Sequence, residues 1–370
     1  MPQARLAHTL ALGGDVEEAV ELAQEVVRAG AAGEAGALVY LALAQAAYER
    51  GDTGGIREHG SRSLELARAG GLRSLEGEAL ELLAWVDLWT ANKEAAEEKW
   101  ADAARIALER GDRAVAARAM GYESLAATFR CRLYTAEERA DEAMRLAAES
   151  GSMRALSAAH VACARSREYR GRYQDAVAHG REWLRLALEV GDRVSATAAC
   201  AFGLAEPMLR LGDPVGALSM VERGFEISDE MGGSAYAGSL HCNRMGALIA
   251  LGRLDEVEQE LAAVPVEEDE TDAAWATFLE GRMRLAQGRK ADAVRAWRKS
   301  LGLLGPGDVL FRVEVQLELG LHLAEQGCLV EARALAEEAR TTLEGSGADA
   351  FIPDLDRLDA ILTEPPTTPS

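Results

Sequence analysis

Small residues recur about every twenty positions along this chain: Gly51, Gly71, Ala91, Gly111, Cys131, Gly151, Gly171, Gly191, Gly212, Gly232 and Gly252. A fixed period of this kind marks a repeat architecture, so it limits the fold more than any single motif does. The stretches between these points are rich in Ala, Leu, Glu and Arg, and their apolar residues fall three and four apart, as on a helix. In 175–192, Ala176, Val177, Gly180, Trp183, Leu184, Ala187 and Leu188 form one apolar stripe. Gly191 then suits a left-handed helix end, and Asp192 suits the N-cap of the next helix. No Val/Ile/Thr-rich alternating segment supports a strand, and the chain is expected to be all-α.

Two kinds of boundary alternate. One kind has alanine five residues after it and a small residue seven before it, as in Ala164/Gly171/Ala176 and Gly281/Gly288/Ala293. Small residues at those places let two helices approach to an axis separation of about 8–10 Å. The physical unit is therefore a helical hairpin of about forty residues, and about nine follow one another.

This skeleton resembles the tetratricopeptide repeat, and the resemblance covers nearly the whole chain. The forty-residue period is longer than the usual repeat. It is similar to the arrays of bacterial regulators, including the large ATP-dependent activators of the maltose-regulator type, and of related signalling proteins. The resemblance implies a right-handed superhelical solenoid whose first helices line a concave groove. The sequence departs from those regulators in having neither an NTPase P-loop nor a recognisable helix-turn-helix.

Interruptions divide the array. Residues 1–264 accommodate hairpins one to seven, the first with a truncated leading helix, and 265–272 form an acidic break with Pro265. Hairpins eight and nine fill 273–347, a capping helix takes 348–363, and the Pro- and Thr-rich 364–370 reads as a disordered tail.

Glu109-Arg110-Gly111-Asp112-Arg113 contains the adhesion tripeptide Arg-Gly-Asp, echoed at Arg50-Gly51-Asp52. Gly111 holds the same repeat position as Gly71, Gly151 and Gly191, so Gly-Asp here is helix punctuation. The N-terminus lacks the features of a signal peptide, and the five cysteines are odd in number and far apart. A reduced, cytoplasmic protein is expected. The formal net charge of −21 argues against a nucleic-acid partner or an anionic membrane surface.

No Gly-rich phosphate loop, Gly-x-Ser-x-Gly elbow or His-Glu-x-x-His is present. His160 with Cys163, and His241 with Cys242, offer too few ligands for zinc and read as packing residues. Neither a metal, a cofactor nor an enzymatic activity is expected.

Counting back from each turn to the groove positions that the resemblance implies gives a mixed aromatic and charged set. It comprises Gln45 and Tyr48; Trp85 and Trp89; Arg118 and Phe129; Arg165 and Tyr169; Phe202, Glu206 and Arg210; and Trp275, Phe278 and Arg282. Flat rings supply contact area at low entropy cost, and guanidinium groups fork onto carboxylates. The expected role is a scaffold that recognises a protein or peptide segment. The alternative is a small-molecule-sensing domain of a bacterial regulator.

Overall fold

The computed structural model describes residues 1–90, 92–230, 236–264 and 270–363. Every regular element among them is helical. The helices pair as α1 (Pro2–Gly13) with α2 (Val16–Arg28), α3 (Gly33–Glu49) with α4 (Thr53–Gly70), and α5 (Arg73–Trp89) with α6 (Lys93–Glu109). The middle pairs are α7 (Arg113–Phe129) with α8 (Leu133–Ser150) and α9 (Met153–Tyr169) with α10 (Tyr173–Glu189). In the sixth pair, α11 (Arg193–Ala198) passes through a π-helical stretch (Ala199–Ala205) into α12 (Glu206–Arg210), which turns back as α13 (Pro214–Asp229). There follow α14 (Ala237–Ala250) with the short α15 (Leu254–Ala263), α16 (Glu270–Ala286) with α17 (Lys290–Leu303), α18 (Val309–Glu325) with α19 (Leu329–Leu343), and a final α20 (Ile352–Thr363). Ala91, Gly232, residues 265–269 of the expected break and the tail 364–370 lie outside the described residues.

Capping explains the periodic Gly-Asp. Gly111 has φ +74°, and the Asp112 carboxylate accepts from the Val115 N–H at 3.1 Å. Residue 131 does the same work as a glycine without being one: Cys131 sits at φ +59°. The stripe expected on α10 is mostly right, with one shift. Ala176, Val177, Gly180, Trp183 and Ala187 are buried, but Leu186 takes the inner position while Leu188 is exposed.

The array does not stay open. Successive turns of the superhelix touch along its axis. Early in the chain, Arg154 at the start of α9 donates to the Leu12 carbonyl at 2.7 Å. Further on, Lys93 at the start of α6 donates to the Gly307 carbonyl at 2.8 Å and pairs with Asp308 at 2.9 Å. The Leu133 N–H donates to the Ser346 carbonyl at 2.8 Å, and Arg170 holds the Gly347 carbonyl at 2.8 Å and Asp349 at 2.8 Å. Cys131 and Leu133 are buried in the same apolar core as Leu343, Phe351 and Leu358. The last hairpin and α20 thus close against the fourth and fifth hairpins, by burial as well as by hydrogen bonds.

Candidate functional site

Closure deepens the expected groove into a partly open cavity of about 1210 Å³. Its wall comes mainly from the first helices of the hairpins, because the second helices occupy the outer layer. Three zones differ in chemistry.

An aromatic zone forms where α3, α5 and α7 meet. Tyr48 lies 5.8 Å from Trp85 and 5.7 Å from Trp89, and Trp85 lies 5.6 Å from Trp89 and 4.7 Å edge-on from Tyr122. Such stacked, tilted and edge-on pairs are favourable beyond their buried area. Glu49 lines the cavity beside Tyr48. Burial, reinforced by the Asp192 charge, pushes its carboxyl up to about 7. Gln45, one turn earlier, does not reach the cavity. Its side-chain amide donates to Glu49 at 3.0 Å.

A charged zone lies across α9, α12, α16 and α18. Arg165 is almost completely buried, and its guanidinium bonds Glu168 at 2.6 Å, Glu206 at 2.5 Å and the Phe202 carbonyl at 3.0 Å. It also stands over the rings of Phe129, Tyr169 and Phe202 at 5.8, 5.2 and 5.4 Å. Burial raises the Glu168 carboxyl above the usual carboxylate range despite the adjacent guanidinium. Arg210 pairs with Glu314 at 2.8 Å, and Arg282 pairs with Glu318 at 2.8 Å while reaching Glu314 at 3.4 Å. The Glu314 charge lifts Arg210 further above its ordinary value.

A third, apolar zone holds Trp275, 6.5 Å from Phe311. Phe278, three residues on, is 1% exposed and packs behind the wall against Phe311 at 5.5 Å. Arg118 is also outside the wall; it pairs with Glu81 at 2.7 Å and ties α7 to α5. The sequence-based set is therefore brought together around one cavity except for Gln45, Arg118 and Phe278.

Several wall residues escaped the count along the sequence. Lys93 stands 5.7 Å from the Phe129 ring, and Tyr236 meets Phe202 edge-on at 5.5 Å. Trp183 donates its indole N–H to the Ser195 hydroxyl at 2.8 Å. Trp183 and Lys93 belong to second helices and Tyr236 precedes α14, so a rule based on first helices misses them, whereas Glu314 lies on α18, a first helix to which the count was not extended.

Elsewhere, His160 meets His179 with Nδ1 atoms 2.9 Å apart, a pairing between α9 and α10 that the sequence reading did not make. Among the described residues, no group of three or more His, Cys, Asp or Glu could hold a metal ion. No helix among them is long and apolar enough to cross a membrane.

The class is a tetratricopeptide-like helical-repeat solenoid with an axial cavity. Among solved structures, the chain is similar to a Rap protein complexed with competence and sporulation factor, at 13% identity over 97% of each chain and a TM-score of 0.61. The apo form of RapI matches at 13% identity, over 92% of this chain and 96% of that one, with a TM-score of 0.55. Aspartyl phosphate phosphatase F from Bacillus subtilis matches at 12% identity, over 92% and 93% of the two chains, with a TM-score of 0.53. At these identities the likeness is one of fold. No family model matches the chain, and no curated protein matches it in sequence.

Proposed function

We propose that the chain is a non-enzymatic bacterial regulatory scaffold, acting in the cytoplasm, that captures a short peptide in its axial cavity. The observation that carries this reading is the cavity itself. At about 1210 Å³ it exceeds the roughly 300–1,000 Å³ typical of small-molecule sites. Its wall alternates rings with guanidinium–carboxylate groups, which suits a ligand with both side chains and a polar backbone. A similarly folded Rap protein is known in complex with competence and sporulation factor, which supports the reading by likeness of fold. The volume weighs against the small-molecule alternative.

The structure also directs the choice of variant. Reversing the charge of Arg165 would leave buried Glu168 and Glu206 facing a third carboxylate, so lost binding would not be separable from lost folding. Trp275 is a better target, being only partly buried in the wall. Immobilised protein is exposed to the short-peptide fraction of a bacterial lysate, and retained species are identified by mass spectrometry. The wild type should enrich defined short peptides at least tenfold over Trp275→Ala, with equal helicity in both. Equal retention by the two proteins would overturn the proposal.

A further inference from the structure

We infer that the aromatic zone formed by Tyr48, Trp85, Trp89 and Tyr122, together with the Glu49 carboxylate, is a receptor for one positively charged group of the ligand. The inference rests on the peptide-binding reading and specifies which end of the cavity takes which chemistry.

Four observations converge. First, the rings lie 4.7–5.8 Å apart in stacked, tilted and edge-on pairs, so together they offer both faces and edges to one end of the cavity. A cation within about 6 Å of such ring faces is attracted by their quadrupoles, most strongly by tryptophan. Second, among the described residues Glu49 forms no ion pair. Among the described residues its carboxylate accepts only from Gln45, on its own helix. Arg50 is exposed at the rim, and adjacent positions on a helix do not face each other.

Third, the cavity cations deeper inside are already neutralised. Lys93 sits on Asp308, Arg165 on Glu168 and Glu206, and Arg210 and Arg282 on Glu314 and Glu318. Each of these cations is engaged by a carboxylate of its own zone, so none of them serves as counter-charge to Glu49 at the aromatic end. Fourth, a second carboxylate deepens that potential. Asp192 acts on Glu49 and on the Tyr48, Tyr122 and Tyr236 hydroxyls, although its own oxygen accepts from the Ser195 N–H at 2.9 Å. The nearby counter-charge is Arg154, whose guanidinium is engaged with the Leu12 and Val190 carbonyls. Burying a carboxylate without a cation is unfavourable, and a bound ammonium or guanidinium supplies that partner.

The cation can come from a basic side chain or from a peptide N-terminus, and the test separates the two. Four randomised pentapeptide pools are offered to immobilised full-length protein: arginine fixed at one position, citrulline at the same position, and both pools N-acetylated. Retention at least tenfold higher for arginine than for citrulline within the acetylated pair identifies a side chain. Retention at least tenfold higher for free than for acetylated citrulline identifies the terminus. In either case Glu49→Gln and Trp89→Leu should each remove the preference for the charged pool.

Equal retention of charged and uncharged pools overturns the inference and leaves peptide binding standing. A charge preference that persists in Glu49→Gln also overturns it, because the cation then binds elsewhere. Retention of no pool overturns both readings. Thermal melts of the variants confirm folding, and Glu49→Gln should melt no lower than the wild type.

Discussion

Glu49 couples the pH dependence of folding to the binding chemistry. Its folded carboxyl, raised to about 7, lies above its unfolded value of about 4.5. Above pH 7 it is charged in both states, and the folded state bears the desolvation. Below about pH 4.5 both states hold the proton and that penalty is absent. The stability this site contributes is thus present at low pH and lost as pH rises through 7. Glu49→Gln should raise stability at pH 8 by up to about 3 kcal/mol and make little difference near pH 4, as read from urea midpoints of both proteins. Asp112→Ala should instead cost about 1 kcal/mol by removing an N-cap, without altering capture of any peptide. The tripeptide around Gly111 would then be seen to act on folding alone. Capping chemistry of this kind was fully legible in the sequence, because Gly followed by Asp carries its own mechanism. The His160–His179 pair was not, since no local rule links positions on opposite helices of a hairpin.

Helix pairing depends on where a Cβ can be accommodated. A Cβ on Gly180 of α10 would fall 1.9 Å from the Gly203 carbonyl oxygen, within the π-helical stretch of the sixth pair. The atoms it would meet are all Gly203 backbone, which does not yield cheaply. Gly180→Ala should therefore cost several kcal/mol or abolish folding, whereas Gly302→Ala, with nothing within 4 Å, should be neutral or stabilise α17 by about 0.5–1 kcal/mol. Thermal midpoints of the two variants test the contrast. The alternation of small residues announced hairpins, whereas Gly180 and Gly203 lie outside that alternation and set the approach of the fifth pair to the sixth. The π-helical stretch itself had no visible signature. The groove count reaches the cavity wall where a position faces the axis, as for Tyr48, Arg165 and Trp275. It failed for Phe278, which is turned into the layer behind, because a spacing rule has no information on local rotation.

At the scale of the molecule, Lys93 and Asp308 join elements 215 residues apart, with side chains 13% and 7% exposed. Removing one partner of a buried pair strands the other, so Lys93→Met should cost about 3–5 kcal/mol. Adding Asp308→Leu should recover much of that loss, and small-angle scattering would show whether the single variant loosens the closure. None of this was readable from the repeats. Superhelix pitch accumulates from small rotations between neighbours, and no single repeat encodes the sum.

The consequence reaches into how the chain unfolds. An open solenoid behaves as a line of domino-like units, whose ends fray first and whose interior follows piecemeal. Here the fourth and fifth units are clasped by the last one, so the terminus that would fray is anchored to the middle. Loss of any one clasped unit releases its distant neighbours, and melting should be all-or-none between hairpin three and α20. Contacts of such long sequence separation also slow assembly, because a large loop must close before they form.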